Sequence, residues 1–205
     1  APPTRPRGRP PARVARQNGR VNTAYATGRL LVATPQIEDG VFYRSVVLVL
    51  HHDDDGAQGV VLNKPVDAEI ESVLPGWSAS AHSADTLFQG GPVGLDTALG
   101  LVQVWGQGAH PGIRRLFDGT GVIDLDSDPV TSLAAVSALR IFVGYAGWSA
   151  GQLDEEISTG SWVVVDYHPE DAFGGEPDTL WSTVLARQPG RLSWLAWYPA
   201  DPSLN

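Results

Sequence analysis

The chain has no cysteine, which excludes disulfides, a thiolate nucleophile and zinc–thiolate sites. Methionine is absent as well. No apolar run approaches the ~20 residues that span a bilayer; the longest, within residues 45–50, is the length of one buried strand. Where a secretion signal has an apolar stretch, this N-terminus has arginines and prolines. A cytoplasmic protein without membrane contact is the expectation. Acid is missing from the first 29 residues, which hold seven arginines instead (Arg5, Arg7, Arg9, Arg13, Arg16, Arg20 and Arg29). The remainder sets seven Lys+Arg against all 23 Asp+Glu, a net of −16. A body that acidic repels phosphate backbones, so DNA is expected only through the basic arm.

Of the 205 residues 42% are hydrophobic, enough to build one substantial core. Residues 1–27 are the exception. Rich in Pro and Arg, they cannot bury enough apolar area to offset their ordering entropy, and they read as a disordered arm. Within it, Pro6-Arg7-Gly8-Arg9-Pro10 resembles the core of an AT-hook, in which an extended Arg-Gly-Arg enters a narrow A·T minor groove. A solvated basic extension explains the same residues. Residues 28–205 read as a single domain.

Strands are expected over 29–34, 45–51 and 58–63, the last two joined as a hairpin by the turn Asp53-Asp54-Asp55-Gly56. A short helical turn over 68–74 and a Ser/Ala/His loop to Asp85 follow. Further strands are expected at 86–89, 98–105 and 122–125. Asp128-Pro129 supplies a helix start, with the helix running to about Ser137. A strand over 140–145 then leads to a helix capped by Ser149, with Gln152 completing a capping box and Gly160 closing it. A strand over 161–167 precedes a last helix, 177–188, that buries Leu180, Trp181, Val184 and Leu185. Hairpins early and mixed elements late indicate an α+β fold.

Several constellations invite a chemical reading. Gly147-Trp148-Ser149-Ala150-Gly151 fits G-x-S-x-G between a strand and a helix, with Asp166 and His168 downstream as acid and base of a serine hydrolase. Against it, the chain is short for that fold, and two residues of spacing crowd the base against its own acid. A helix-capping Ser149 explains the residue without catalysis. His51-His52 beside three aspartates suggests a metal. Adjacent strand side chains point to opposite faces, however, so the pair cannot share an ion, and a solvated turn is the better reading. His82 and His110 have no sequence-local partners. Asp154-Glu155-Glu156 reads as a solvated helix face, with room for one acid to make a specific hydrogen bond. Gly90-Gly91-Pro92 marks a tight backbone passage and lacks the spacing that cradles phosphate. No cofactor and no metal site are expected. Of seven tryptophans, Trp162 and Trp181 suit the core and Trp148 suits a groove or interface.

Four segments in order resemble the AlgH/YqgE family: Gly28-Arg29-Leu30-Leu31-Val32-Ala33-Thr34-Pro35 running on to Asp39 and Phe42-Tyr43-Arg44-Ser45-Val46; Asp55-Gly56-Ala57-Gln58-Gly59-Val60-Val61-Leu62-Asn63-Lys64-Pro65; Phe88-Gln89-Gly90-Gly91-Pro92-Val93; and Gly144-Tyr145-Ala146-Gly147-Trp148 through Gly151-Gln152-Leu153 to Glu155-Glu156 and Trp162. The resemblance implies a small coiled, barrel-like mixed sheet flanked by helices. It implies a transcriptional regulator without an established biochemical activity. It speaks against the hydrolase, because the family often has glycine where Ser149 stands. The Leu-His pair that usually follows the Gly-Pro-Val segment is absent from residues 98–105. The expectation is a non-enzymatic regulatory or interaction protein. Asn63, Gly90, Gly91, Tyr145, Trp148 and Gln152 would form a polar-rimmed groove for a protein partner or small ligand, or would equally serve only to lock tight turns and cap a helix. DNA contact by Arg7, Gly8 and Arg9 is the alternative.

Overall fold

In a computed structural model, residues 25–78, 86–106 and 108–199 are described. The AT-hook-like Arg7, Gly8 and Arg9, and His82, lie outside them. Strands β1 (Arg29–Ala33) and β2 (Val46–Asp53) are apolar throughout residues 30–33 and 46–50, where both of their faces are covered. Leu30, Val32, Val46 and Leu48 enter one buried cluster, while Leu31, Ala33, Val47 and Val49 enter another. β2 turns through Asp53–Gly56 into β3 (Gly56–Val61), the expected hairpin. The Asp55 N–H donates to Asp53 Oδ1 at 2.9 Å in that turn.

The rest of the sheet comprises β4 (Pro65–Glu69), β5 (Thr86–Gln89), β6 (Val93–Val104), β7 (Ile113–Phe117), β8 (Thr120–Ile123), β9 (Val136–Ser149) and β10 (Trp162–Asp166). Its order is β10-β1-β2-β3-β9-β6-β8-β7, with β5 pairing β4 and β9 off this path. Every pairing is antiparallel except β5 with β9. The α+β expectation therefore holds in a sheet-dominated form, a curled half-barrel carrying short helices. These are α1 (Ile70–Val73), α2 (Pro129–Leu133), α3 (Gln152–Ser158), α4 (Pro169–Phe173), α5 (Pro177–Ala186) and α6 (Leu192–Leu195). α5 packs Leu180, Trp181, Val184 and Leu185 on the Leu30/Leu48 face, and α3 packs Leu153 on the opposite one. A third cluster, around Val102, Leu139 and Ile141, takes Ile70 of α1 and Trp77.

Three expectations need correction. The helix begun by Asp128 ends at Leu133, not near Ser137, because Val136 and Ala138 are already paired with Val104 and Gln103. Asp128 does cap it, Oδ2 accepting from the Thr131 N–H at 3.0 Å. The 140–145 strand is the middle of the fourteen-residue β9. β9 pairs with β6 up to Tyr145 and with β3 from Ala146 on, so one strand links two parts of the sheet. Ser149 is the last residue of β9 and not a helix cap. Gly151, at φ +73°, occupies the capping position, a left-handed conformation that costs glycine little. Just before β1, Ala26 is 2% exposed, and its N–H donates to the buried His52 Nδ1 at 3.1 Å.

One cation lies inside the core. Arg140 on β9 is 6% exposed, with its guanidinium 4.2 Å over the Phe88 ring and Nη1 donating to the Leu62 carbonyl at 3.1 Å. Burial pulls its pKa down to about 10. Burial also pushes Tyr167 up to about 12, its hydroxyl 3.0 Å from Thr120 Oγ1.

Candidate functional site

Because Gly151 turns the chain sharply from β9 into α3, the first turn of the helix folds back over the end of the strand. Gln152 then reaches back: its Oε1 accepts from both the Ser149 N–H and the Ser149 Oγ at 3.0 Å. This is one half of the expected capping box, moved to a strand end. One turn on, Gln152 Nε2 donates to Glu156 Oε1 at 3.0 Å. Glu156 Oε2 accepts two indole N–H groups, Trp148 Nε1 at 2.9 Å and Trp162 Nε1 at 2.8 Å. A carboxylate that accepts both donors holds two aromatic rings at a set angle, since charge-assisted bonds are short and directional. The indoles stand edge-on, centroids 6.1 Å apart and planes at 81°. Phe42 completes the set, stacked on Trp148 at 6.2 Å and edge-on to Trp162 at 5.5 Å.

These rings floor an open groove of about 590 Å³ between the 37–42 loop and α3. Ile37, Val41, Pro92 and Gly147 add apolar wall, and Asp39, Gln152 and Glu156 supply the polar rim. The pattern is an apolar floor with a few fixed polar groups, which suits orientation of a bound segment. Its rim is acidic, so it favours hydrogen-bond donors and disfavours anions.

Of the six residues expected to share a groove, Trp148 and Gln152 line this one. Asn63, Gly90, Gly91 and Tyr145 are not among its lining residues. Asn63 is buried, its Oδ1 accepting from the Val46 N–H and its Nδ2 donating to the Arg44 carbonyl, both at 2.9 Å. It locks the 44–46 turn. Gly90 donates to the Val143 carbonyl and accepts from the Val61 N–H, both at 2.8 Å, where the backbone passes between β3 and β9. A Cβ on Gly91 would overlap the Tyr145 carbonyl, so glycine there is a packing requirement. The Tyr145 ring lies against Gly94 and Gly147.

The triad residues lie in separate settings. Ser149 Oγ donates to Gln152, Asp166 pairs with Arg29 at 3.0 Å, and the His168 N–H donates to Asp171 Oδ2 at 2.9 Å. His51 is exposed and bonded to Asp53 at 2.7 Å, while His52 is buried, so the two point apart. Asp154 lies 3.7 Å from His52 Nε2, and Glu155 is exposed. Sequence reading missed Phe42 and the role of Glu156. A four-residue spacing from Gln152 and a place between two tryptophans are the signals that mark Glu156 in the sequence.

A family model described as AlgH-like matches residues 30–193. A UPF0301 protein of Streptomyces avermitilis is 45% identical over 192 residues, covering 92% of this chain and 100% of that protein. A crystal structure of a Corynebacterium diphtheriae protein is similar with a TM-score of 0.77 and 31% identity, over 83% of this chain and 91% of that one. The solution structure of the AlgH protein from Pseudomonas aeruginosa is similar with a TM-score of 0.65 and 25% identity, over 88% and 97%.

Proposed function

From the premise that this chain belongs to the AlgH-like family, we propose that it is a non-enzymatic regulatory protein that binds an extended partner segment in the groove beside α3. The observation that carries this reading is the Glu156 carboxylate. It fixes Trp148 and Trp162, both nearly buried, beneath the groove, so the floor they make with Phe42 is ordered before a ligand binds. Gln152 and Asp39 on the rim are placed to bond a partner's backbone or donor side chains, with apolar contact on the Phe42 side.

The test is a random peptide display library panned on the purified chain, with Gln152→Ala and Asp39→Ala as comparison proteins. Asp39 is exposed, so its change leaves the unfolding free energy within about 0.5 kcal/mol, whereas Gln152→Ala also loses its bonds to Ser149 and Glu156 and should cost about 1 kcal/mol in a protein that still folds. Enriched peptides should bind these variants about 5–30-fold more weakly. Peptides that bind parent and variants equally would refute the groove. DNA contact through Arg7, Gly8 and Arg9 is a separate reading favoured by the seven arginines of residues 1–29. Salt-sensitive DNA affinity that survived deletion of residues 1–20 would refute it.

A further inference from the structure

A second pocket, of about 290 Å³, lies on the other side of the 34–44 loop; Ile37 lines both. Arg44 and Tyr43 form one part of its wall, with Thr34, Pro35, Trp181 and Tyr198 around them. Arg44 is held in an uncommon conformation, φ +48°, which is costly for a residue with a side chain. Two side chains sustain it: Asn63 Nδ2 donates to the Arg44 carbonyl at 2.9 Å, and Lys64 Nζ donates to the Tyr43 carbonyl at 2.8 Å. The result lays the Arg44 guanidinium 4.0 Å from the centroid of the Trp181 ring, while Nη1 donates to the Tyr198 carbonyl at 2.8 Å. Trp181 is itself fixed, its Nε1 donating to the Ala33 carbonyl at 2.8 Å.

Two cations stand close together in this corner, Arg44 in the pocket wall and Lys64 behind it. Outside the first 29 residues the chain carries a net of −16, yet among the described residues neither Arg44 nor Lys64 has a carboxylate within 4.0 Å. Lys64 is held below the ordinary lysine range, by burial first and by the adjacent Arg44 charge second, with Asp178 opposing both from a greater distance than an ion pair. Glu38 is at the pocket's exposed edge, where water screens it. Two neighbouring cations, a strained backbone that aims one of them, and flat rings around a small cavity share one chemical complement.

We propose that this pocket binds a small anionic ligand, a carboxylate or phosphate ester on a flat ring, with Arg44 as the anion's partner. The guanidinium has donors beyond the one given to Tyr198 and matches either oxyanion in a bidentate geometry. The volume suits a single ring with one charged substituent.

The test uses the full chain, with benzoate, phenyl phosphate and uncharged benzyl alcohol as probes. Nitrogen–proton NMR spectra follow the Trp181 indole and the amides of residues 43–45. At least one anion should give saturable shifts there by about 10 mM, and benzyl alcohol none. Stronger binding of benzoate assigns a carboxylate, and stronger binding of phenyl phosphate assigns a phosphate ester. Arg44→Gly keeps the backbone conformation, because glycine is unstrained at that φ, and should weaken anion binding at least ~10-fold in a folded protein. Arg44→Gln should do the same. No saturable shift with either anion, equal shifts with benzyl alcohol, or undiminished binding in both variants would overturn the proposal.

Discussion

Replacing Glu156 with alanine should be among the most costly substitutions of a charged side chain in the α3 region. The carboxylate accepts two indole N–H groups, and both indoles are nearly buried, Trp148 at 7% and Trp162 at 3% exposure. A buried donor that loses its partner costs about 1–3 kcal/mol. Glu156 itself is only half-buried, so water can replace part of what is lost. Two orphaned donors then amount to about 2–4 kcal/mol. With a urea slope of about 2 kcal/mol/M, the unfolding midpoint should fall by about 1–2 M. Glu155→Ala is the control: the same charge change, one residue earlier on an exposed face, should cost less than about 0.5 kcal/mol. Trp148→Phe removes one of the donors, so in the double variant the two costs should fall short of additivity by about 1 kcal/mol. Equilibrium urea unfolding followed by far-ultraviolet circular dichroism reads the parent and all four variants. Equal midpoints for Glu156→Ala and Glu155→Ala would show that the indole bonds hold nothing in place.

Gly91→Ala should cost at least ~3 kcal/mol, because the added methyl falls on the Tyr145 carbonyl; an unchanged melting temperature would refute that packing. Ser149→Ala should change stability by less than about 0.5 kcal/mol, and a fluorophosphonate probe should leave Ser149 unlabelled; labelling at that residue would revive the hydrolase. Alkaline pH should expose two opposing titrations. The folded pKa of Tyr167 is raised to about 12, so its stabilising share is complete below pH ~10 and is lost as pH rises toward 12. The folded pKa of Arg140 is lowered to about 10, so the cost of burying its charge is present at neutral pH and is relieved above about 10. Tyr167→Phe removes the first of these. Between pH 10 and 12 its stability should therefore rise relative to the parent's by up to about 2.5 kcal/mol, and parallel pH profiles would contradict the assignment.

Much of the fold was legible because its signals are local. The alternating and continuous apolar runs of β1 and β2, the Asp53–Gly56 turn, the Asp128 cap and the four buried residues of α5 each depend on a few neighbours in sequence. β4, exposed at every position, and β7, half-exposed with two arginines, carry no such pattern. β4 is a strand because β5, distant in sequence, offers hydrogen bonds that no local reading contains; β7 pairs with its neighbour β8 across the Asp118-Gly119 turn, a local signal that the weak apolar pattern around it obscures.

The candidate site divides the same way. Sequence alone determined that Trp148 and Gln152 lie where a strand meets a helix, and that no thiolate chemistry is available to this chain. Tertiary structure decided that Glu156 reaches across to two tryptophans on different strands, that Phe42 closes the floor, and that Arg44 rests on Trp181. It also gave Asn63, Gly90 and Gly91 their places, as braces of a turn and a backbone crossing. The physical reason is range. Propensity, capping and turn chemistry act over about four residues, whereas the Glu156 bonds, eight and six residues in span, and the longer-range contacts of Phe42 and Arg44 exist only once the strands and α3 have packed together.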